Sequence, residues 1–257
     1  KNTFNYINFI PNHLNKISSL LLQFKKEENI PDVEVTSVLN KNASTFYSKN
    51  AFDPNAFVPG KEYEMSPEKV QLGKQLFNDK ILSNNNSRSC ATCHNADKAF
   101  TDGLEKSMSL ENVALQRNTP SLNYAAFQHG QFWDMRKDDL EGQSSDVITN
   151  KEEMHGDMKV IIAKINLNKK YQKDFEKIYK TKKTEVWQLQ NVLASYIRSL
   201  ATFNSDFDEY MRGNKSAMTK KQKNGFNLFV VKAQCAICHF VPLFNGTIPP
   251  NFSKTEQ

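Results

Sequence analysis

Apolar residues recur along most of this chain at helical spacing, and strand-like alternation is scarce. Residues 4–10 and 13–24 each carry an apolar helical face, and Pro11 between them predicts an interruption. Residues 48–60 hold Asn50, Asp53-Pro54, Pro59 and Gly60 and read as a linker. Ser66-Pro67-Glu68 then opens a helix, with Ser as N-cap, Pro at the first helical position and Glu in the first turn. That helix runs to near Asn78 and carries Leu72, Leu76 and Phe77. Further helices are expected over 158–165, 170–179 and 184–202. The pattern predicts an all-α fold with long loops.

The chain has 257 residues, a length that suits one or two domains at about 150 residues each. Apolar residues make up 39% and charged residues 24%, an ordinary globular balance. The longest apolar runs, 20–22 and 160–163, are far shorter than the roughly 18 residues of a spanning helix, so no transmembrane segment is expected. The nine Gly, nine Pro and four Cys exclude collagen-like, low-complexity and disulfide-scaffold chains. The net charge of +6 suits an anionic partner. The charges are interspersed, however, and no basic run with interleaved aromatics supports nucleic-acid binding.

All four cysteines fall into two copies of one pattern: Cys90-Ala-Thr-Cys93-His94 and Cys235-Ala-Ile-Cys238-His239. Cys-x-x-Cys-His is the c-type haem attachment pattern. Two thiols on one helical turn can add across the two vinyl groups of one haem, and the adjacent imidazole reaches the iron from the same side. A zinc site would rarely place a His after both second cysteines, and the halves lie 142 residues apart, from 93 to 235. A thioredoxin-like pair would need a βαβ context that the pattern does not show. Two covalent haems are therefore the expectation. Such haems are attached outside the cytoplasm, so a periplasmic or cell-envelope protein, beginning at Lys1 as a mature or trimmed chain, is expected.

The two motifs sit in a weak internal repeat. Gly73-Lys-Gln-Leu76-Phe77 precedes the first and Gly225-Phe-Asn-Leu228-Phe229 the second. The expected organisation is a helical extension and linker over 1–60, a first cytochrome c-like domain over 61–200, and the start of a second over 201–257. Only 18 residues follow His239, and they contain no Met, His or Tyr, so truncation of the second domain is expected.

The stretches 73–83 (GKQLFNDKILS), 89–103 (SCATCHNADKAFTDG), 117–122 (RNTPSL), 131–143 (QFWDMRKDDLEGQ), 205–213 (SDFDEYMRG) and 233–244 (AQCAICHFVPLF), with Glu153-Met154, together resemble the bacterial dihaem cytochrome c peroxidase family, which includes MauG-like proteins. The resemblance spans about residues 66–250 and leaves the first 60 outside it. It implies that Cys90, Cys93 and His94 hold a peroxidatic haem and that Cys235, Cys238 and His239 hold an electron-transfer haem. It places Gln143 and Glu153 on the distal side of the first haem, Trp133 between the haems, and Asn118 as a ligand of a calcium ion. Glu153 would move the proton of bound peroxide as base and then acid, and Gln143 would hydrogen-bond the distal oxygen or a water. Arg117 and Arg136 are candidates for haem propionates. The homodimers of the family are an analogy only.

One departure matters. Several family members carry a His between the first motif and the RNTP stretch that caps the resting iron. Residues 95–117 contain no His, and the corresponding position lies near Leu110, with Met108 the one soft ligand nearby. The first haem is expected to be open on its distal side. The implied activity is reduction of hydrogen peroxide to water, with electrons from a small cytochrome c or cupredoxin. The alternatives are a MauG-like oxidase acting on a protein or small molecule, and a non-enzymatic electron carrier. His129 and His155 read as surface or supporting side chains, and His13 receives no role.

Overall fold

The computed structural model describes residues 4–33, 37–132 and 134–245. Its α-helices are α1 (Tyr6–Phe9), α2 (Asn15–Glu27), α3 (Pro67–Asn78), α4 (Cys90–Cys93), α5 (Leu140–Thr149), α6 (Met158–Leu167), α7 (Lys169–Tyr179), α8 (Val186–Ser199), α9 (Asp206–Met211) and α10 (Lys220–Asn227). Among the described residues there is no strand, only isolated bridges. The protein is all-α. No helix among these residues is long and apolar enough to cross a membrane. The chain divides into two compact units, Phe57–Ala201 and Lys1–Ala56 with Thr202–Gln257.

In the unit Phe57–Ala201, α3 begins as its sequence requires. Ser66 Oγ accepts the Lys69 amide at 3.3 Å, and Pro67 occupies the first turn, where no amide is needed. Lys69 turns inward and donates Nζ to the Glu62 and Glu64 carbonyls at 2.5 and 2.8 Å, and its burial lowers its pKa. The buried face of α3, Leu72, Leu76 and Phe77, meets Leu189, Val192 and Leu193 of α8 in the main core. Ile161 and Ile165 of α6 and Tyr171 and Phe175 of α7 complete that core. The crossing of α3 and α8 is set at Gly73: a Cβ there would lie 1.8 Å from the Val192 carbonyl oxygen. Only a residue without a side chain allows that approach.

The second unit joins the two ends of the chain. Ile7, Tyr47, Tyr210, Met211, Met218 and Phe226 form its core. Polar bonds fix the register. The Ile7 amide donates to Asn227 Oδ1 at 3.0 Å, Asn15 Nδ2 to the Met211 carbonyl at 2.9 Å, and Tyr210 Oη to Asn8 Oδ1 at 2.6 Å. Residues 48–56 are rich in turns but anchored, since Ala51 and Phe52 are buried and Phe52 stacks on Phe203. Pro11 does not interrupt the helix as its sequence suggests. The chain passes through a π-helical turn, Ile10–Leu14, whose wider ring accommodates the missing amide, and continues into α2.

The two copies of the repeat differ in packing. Leu76 is fully buried, whereas Leu228 is 52% exposed, and a Cβ on Gly225 would meet nothing within 4 Å. Gly73→Ala is expected to lower stability by about 1–3 kcal/mol through overpacking against α8. Gly225→Ala should instead raise it by up to about 1 kcal/mol through helix propensity alone. Paired thermal melts of the two variants check this contrast, and equal losses would contradict it.

Candidate functional site

The first attachment motif forms the single turn α4. The Ser89 amide donates to Thr92 Oγ1 at 3.1 Å, and the His94 amide closes on the Cys90 carbonyl at 2.9 Å. Cys90 and Cys93 both lie on this one turn. His94 Nδ1 donates to the Phe100 carbonyl at 2.9 Å, because a carbonyl can only accept. That bond gives Nδ1 the proton and leaves Nε2 as the lone-pair nitrogen of a neutral ring. Burial lowers the His94 pKa, opposed by its carbonyl contacts and the Asp102 carboxylate, so the neutral form is favoured. A ligand imidazole is commonly oriented by such a bond.

The second motif repeats this construction. The His239 amide closes on the Cys235 carbonyl at 2.9 Å, and His239 Nδ1 donates to the Phe244 carbonyl at 2.9 Å. Both acceptor residues are left-handed, with φ of 60° at Phe100 and 55° at Phe244. The backbone pairs Asn95 with Thr101 in one copy and Phe240 with Asn245 in the other. The Leu-Phe pairs of the repeat also correspond: the Phe77 ring lies 6.3 Å from His94 and the Phe229 ring 6.5 Å from His239.

Two thiols on a turn, an oriented imidazole and an aromatic neighbour fit a covalent haem at each motif. Burial raises the Cys90 thiol to about 12 and also raises Cys93. A redox-active Cys-x-x-Cys pair needs the opposite shift, toward thiolate.

Around the first motif the loops are tied down by side chains far apart in sequence. Arg88 Nη1 donates to the Met108 carbonyl at 2.7 Å, and Nη2 donates to the Ser109 carbonyl. Residues 107–117 fold back on themselves, with the Ser109 amide on the Val113 carbonyl at 2.8 Å and the Leu115 amide on the Ser107 carbonyl at 2.7 Å. At the tip, the Leu110 amide donates to the Glu152 carbonyl at 2.9 Å. Ser107 Oγ and Thr119 Oγ1 lie 2.6 Å apart, and Thr119 reaches Asp102 Oδ2 at 3.4 Å. Asn118, the candidate calcium ligand, is exposed. Among the described residues no group of three or more His, Cys, Asp or Glu side chains could hold a metal ion.

Helix α5 carries Gln143. Asp139 Oδ1 caps it by accepting the Gly142 amide at 2.7 Å. Glu141, buried, forms a two-pronged ion pair with Arg198 of α8, both bonds 2.7 Å. Asn191 of α8 donates to the Tyr63 carbonyl at 2.7 Å and accepts from Tyr179 Oη at 2.7 Å. Gln143 is half-buried one turn from the cap. Glu153 follows in the turn after α5. Burial raises its pKa, opposed by a hydrogen bond from Asn150 and the charge of Arg136. After burial, the Glu153 carboxylate also helps to raise the Cys93 thiol, so its charge is felt at the attachment turn.

Arg136 pairs with Asp134 at 2.9 Å and lies over the Phe132 ring. Trp133 lies outside the described residues. His129 meets the Phe57 ring and His155 is exposed, while His13 lies beside Phe9. Sequence reading missed Arg88, Glu141, Arg198 and Asn150, whose partners no local motif announces.

The chain belongs to the di-haem cytochrome c peroxidase family, whose model matches residues 67–216. It is 35% identical over 187 residues to the methylamine utilization protein MauG of Methylorubrum extorquens, covering 72% of this chain and 53% of that one. It is 32% identical over 176 residues to the cytochrome-c peroxidase IdrP2 of Denitromonas iodatirespirans, covering 68% and 48%. A solved MauG-like protein associated with microbial copper homeostasis aligns with a TM-score of 0.67 at 26% identity, covering 76% of this chain and 60% of that one. The chain spans about half the length of the relatives it matches. The family is defined by two c-type haems, in keeping with two attachment motifs.

The Glu141–Arg198 pair decides where α5 sits. Arg198→Met strands a buried carboxylate and is expected to cost about 3–5 kcal/mol, whereas the double variant with Glu141→Leu should recover most of that loss. A double-mutant cycle by chemical unfolding checks it, and simple additivity would show that the pair is not coupled.

Proposed function

We propose that the full protein is a periplasmic or cell-envelope peroxidase that reduces hydrogen peroxide to water with electrons from a small cytochrome c or cupredoxin. The observation that carries this reading is Glu153, a half-buried carboxyl held by Asn150 in the bend that follows the helix of Gln143, with its charge felt at the Cys93 thiol. Bound haem would supply a redox-active iron to which peroxide can coordinate. His94 and His239 would hold the two irons through Nε2, and Cys90, Cys93, Cys235 and Cys238 would fix the macrocycles. Glu153 would take the proton from the oxygen nearer the iron and return it to the leaving oxygen. Gln143 would orient that oxygen or a water. The balance is one peroxide, two protons and two single electrons to two waters. Trp133 is assigned to electron relay and Asn118 to a calcium ion by the family resemblance, which also suggests a homodimer.

A second reading has its own observation. The 107–117 loop presents the Leu110 amide, not an imidazole, to the Glu152 carbonyl, and MauG proteins are among the relatives. An iron left open by this loop also suits oxidation of a protein or small molecule. Turnover of peroxide with a reduced cytochrome c as donor separates the two, since the oxidase reading expects peroxide to be consumed without oxidising the donor.

Glu153→Gln is expected to lower peroxide turnover by about 10²–10⁴-fold, the usual share of general acid–base catalysis. Its raised pKa means that the charged base is lost as pH falls through a value above the ordinary carboxylate range. The wild type should therefore show an acid limb there, absent from the residual activity of Glu153→Gln. Separately, the oxidised protein should show a high-spin haem by absorption or electron paramagnetic resonance. Two purely low-spin haems would remove the open first site.

A further inference from the structure

We propose that Asn150 is the positioning residue for Glu153: its side-chain amide holds one oxygen of the carboxylate and aims the other at the reacting proton. This rests on Glu153 acting as the proton-transfer group. Asn150 closes the last turn of α5, its amide donating to the Asp146 carbonyl at 3.0 Å. It then organises the following bend. Its carbonyl accepts the Glu153 amide at 3.1 Å and the His155 amide at 2.8 Å. Its side-chain Oδ1 accepts the Glu152 amide at 3.0 Å, and Nδ2 donates to Glu153 Oε1 at 3.0 Å. Five bonds from one residue thus join the helix that carries Gln143 to the carboxylate.

The orientation of the amide follows from its partners. The Glu152 N–H can only donate, so the atom facing it is Oδ1, and Nδ2 must face the carboxylate. The choice of residue is also informative. An Asx-type bend needs only an oxygen acceptor, and Asp would serve as well as Asn. Asp would, however, set a second carboxylate against Glu153. Of the two, Asn alone accepts from the bend and donates to Glu153 at once.

The bend is braced from outside. The Leu110 amide donates to the Glu152 carbonyl, the Asn84 amide to the Met154 carbonyl at 3.1 Å, and the Gly156 amide to the Ile148 carbonyl at 2.7 Å. The charged groups that act on Glu153 are Glu152 in the same bend, which repels it, and Arg136 from the 131–137 loop, which attracts it. On α4, the Cys93 thiol feels the Glu153 charge. Asn150 is the leading influence that favours the charged carboxylate against burial.

The test uses full-length holoprotein carrying Asn150→Asp or Asn150→Ala, with Glu153→Gln as reference. Infrared titration follows the protonated-carboxyl band that Glu153→Gln removes, a readout independent of turnover. Asn150→Asp keeps the acceptor for the Glu152 amide and replaces the donor by a charge. It is expected to shift that titration, and the acid limb of turnover, upward by about one pH unit. Asn150→Ala should shift both in the same direction but less. Amide exchange at Glu153 and His155 should stay as slow in Asn150→Asp as in the wild type, showing an intact bend. A carboxyl titration that does not move in Asn150→Asp overturns the proposal, as does a turnover loss equal at every pH, which marks a merely structural residue. Full turnover by Glu153→Gln would instead overturn the peroxidase role of Glu153, while a shifted infrared titration would still uphold the contact with Asn150.

Discussion

The close crossing of α3 and α8 at Gly73 is the constraint on which the first haem unit depends. A helix pair that approaches until a glycine faces a carbonyl oxygen leaves little freedom in tilt or register. From that fixed α8, Arg198 holds Glu141 and Asn191 holds the Tyr63 carbonyl, so α5 and the entry to α3 are located together. A buried ion pair is a poor source of net stability, because desolvation consumes most of its attraction. Its two-pronged geometry does something that apolar contacts cannot: it discriminates one rotation of α5 from its neighbours. Gln143 lies two residues beyond Glu141 and inherits that rotation.

The two attachment motifs show how one local solution serves two different surroundings. Each His leaves its turn and donates Nδ1 to a Phe carbonyl that only a left-handed backbone presents. A non-glycine residue in that region carries a conformational cost, and its presence at both copies marks the acceptor as worth that cost. The first copy lies under a packed core, with Leu76 and Phe77 buried, while the second has Leu228 in the open. The orientation of the imidazole therefore comes from the loop itself and not from the packing behind it.

This separation explains what could be read from the sequence. Cys-x-x-Cys-His was legible because covalent attachment and ligation demand contiguous residues on one turn. The start of α3 was legible because Ser66, Pro67 and Glu68 act locally. Helices α6, α7 and α8 followed from their apolar period. Helix α5 gave no such signal: Gly142, Ser144 and Ser145 are weak helix formers, and its hold on the fold comes through Glu141 from a partner 57 residues away. Separation in sequence also hid Arg88, which grips a loop 20 residues on, and the packing of Ile7 and Tyr47 with Tyr210 and Phe226. Pro11 misled because a π turn can absorb what an α turn cannot. The roles proposed for Gln143 and Glu153 rest on resemblance, since a Glu in Lys151-Glu152-Glu153 looks like any exposed charge.

The proton-transfer role proposed for Glu153 gives a physical reason for so firmly built a neighbourhood. A proton-transfer group works best when its affinity for the proton lies near the working pH, so burial that raises a carboxyl is useful. Burial alone would also favour a neutral acid that no longer takes a proton. Asn150 and Arg136 act against burial, and Glu152 acts with it, so the balance depends on contacts that change with small displacements. A bend fixed by Asn150, held at Glu152 by Leu110 and at Met154 by Asn84, keeps those distances constant. On the proposed role of Glu153, rigidity there is part of the chemistry, because an ångström of drift would alter both where the proton goes and how tightly it is held.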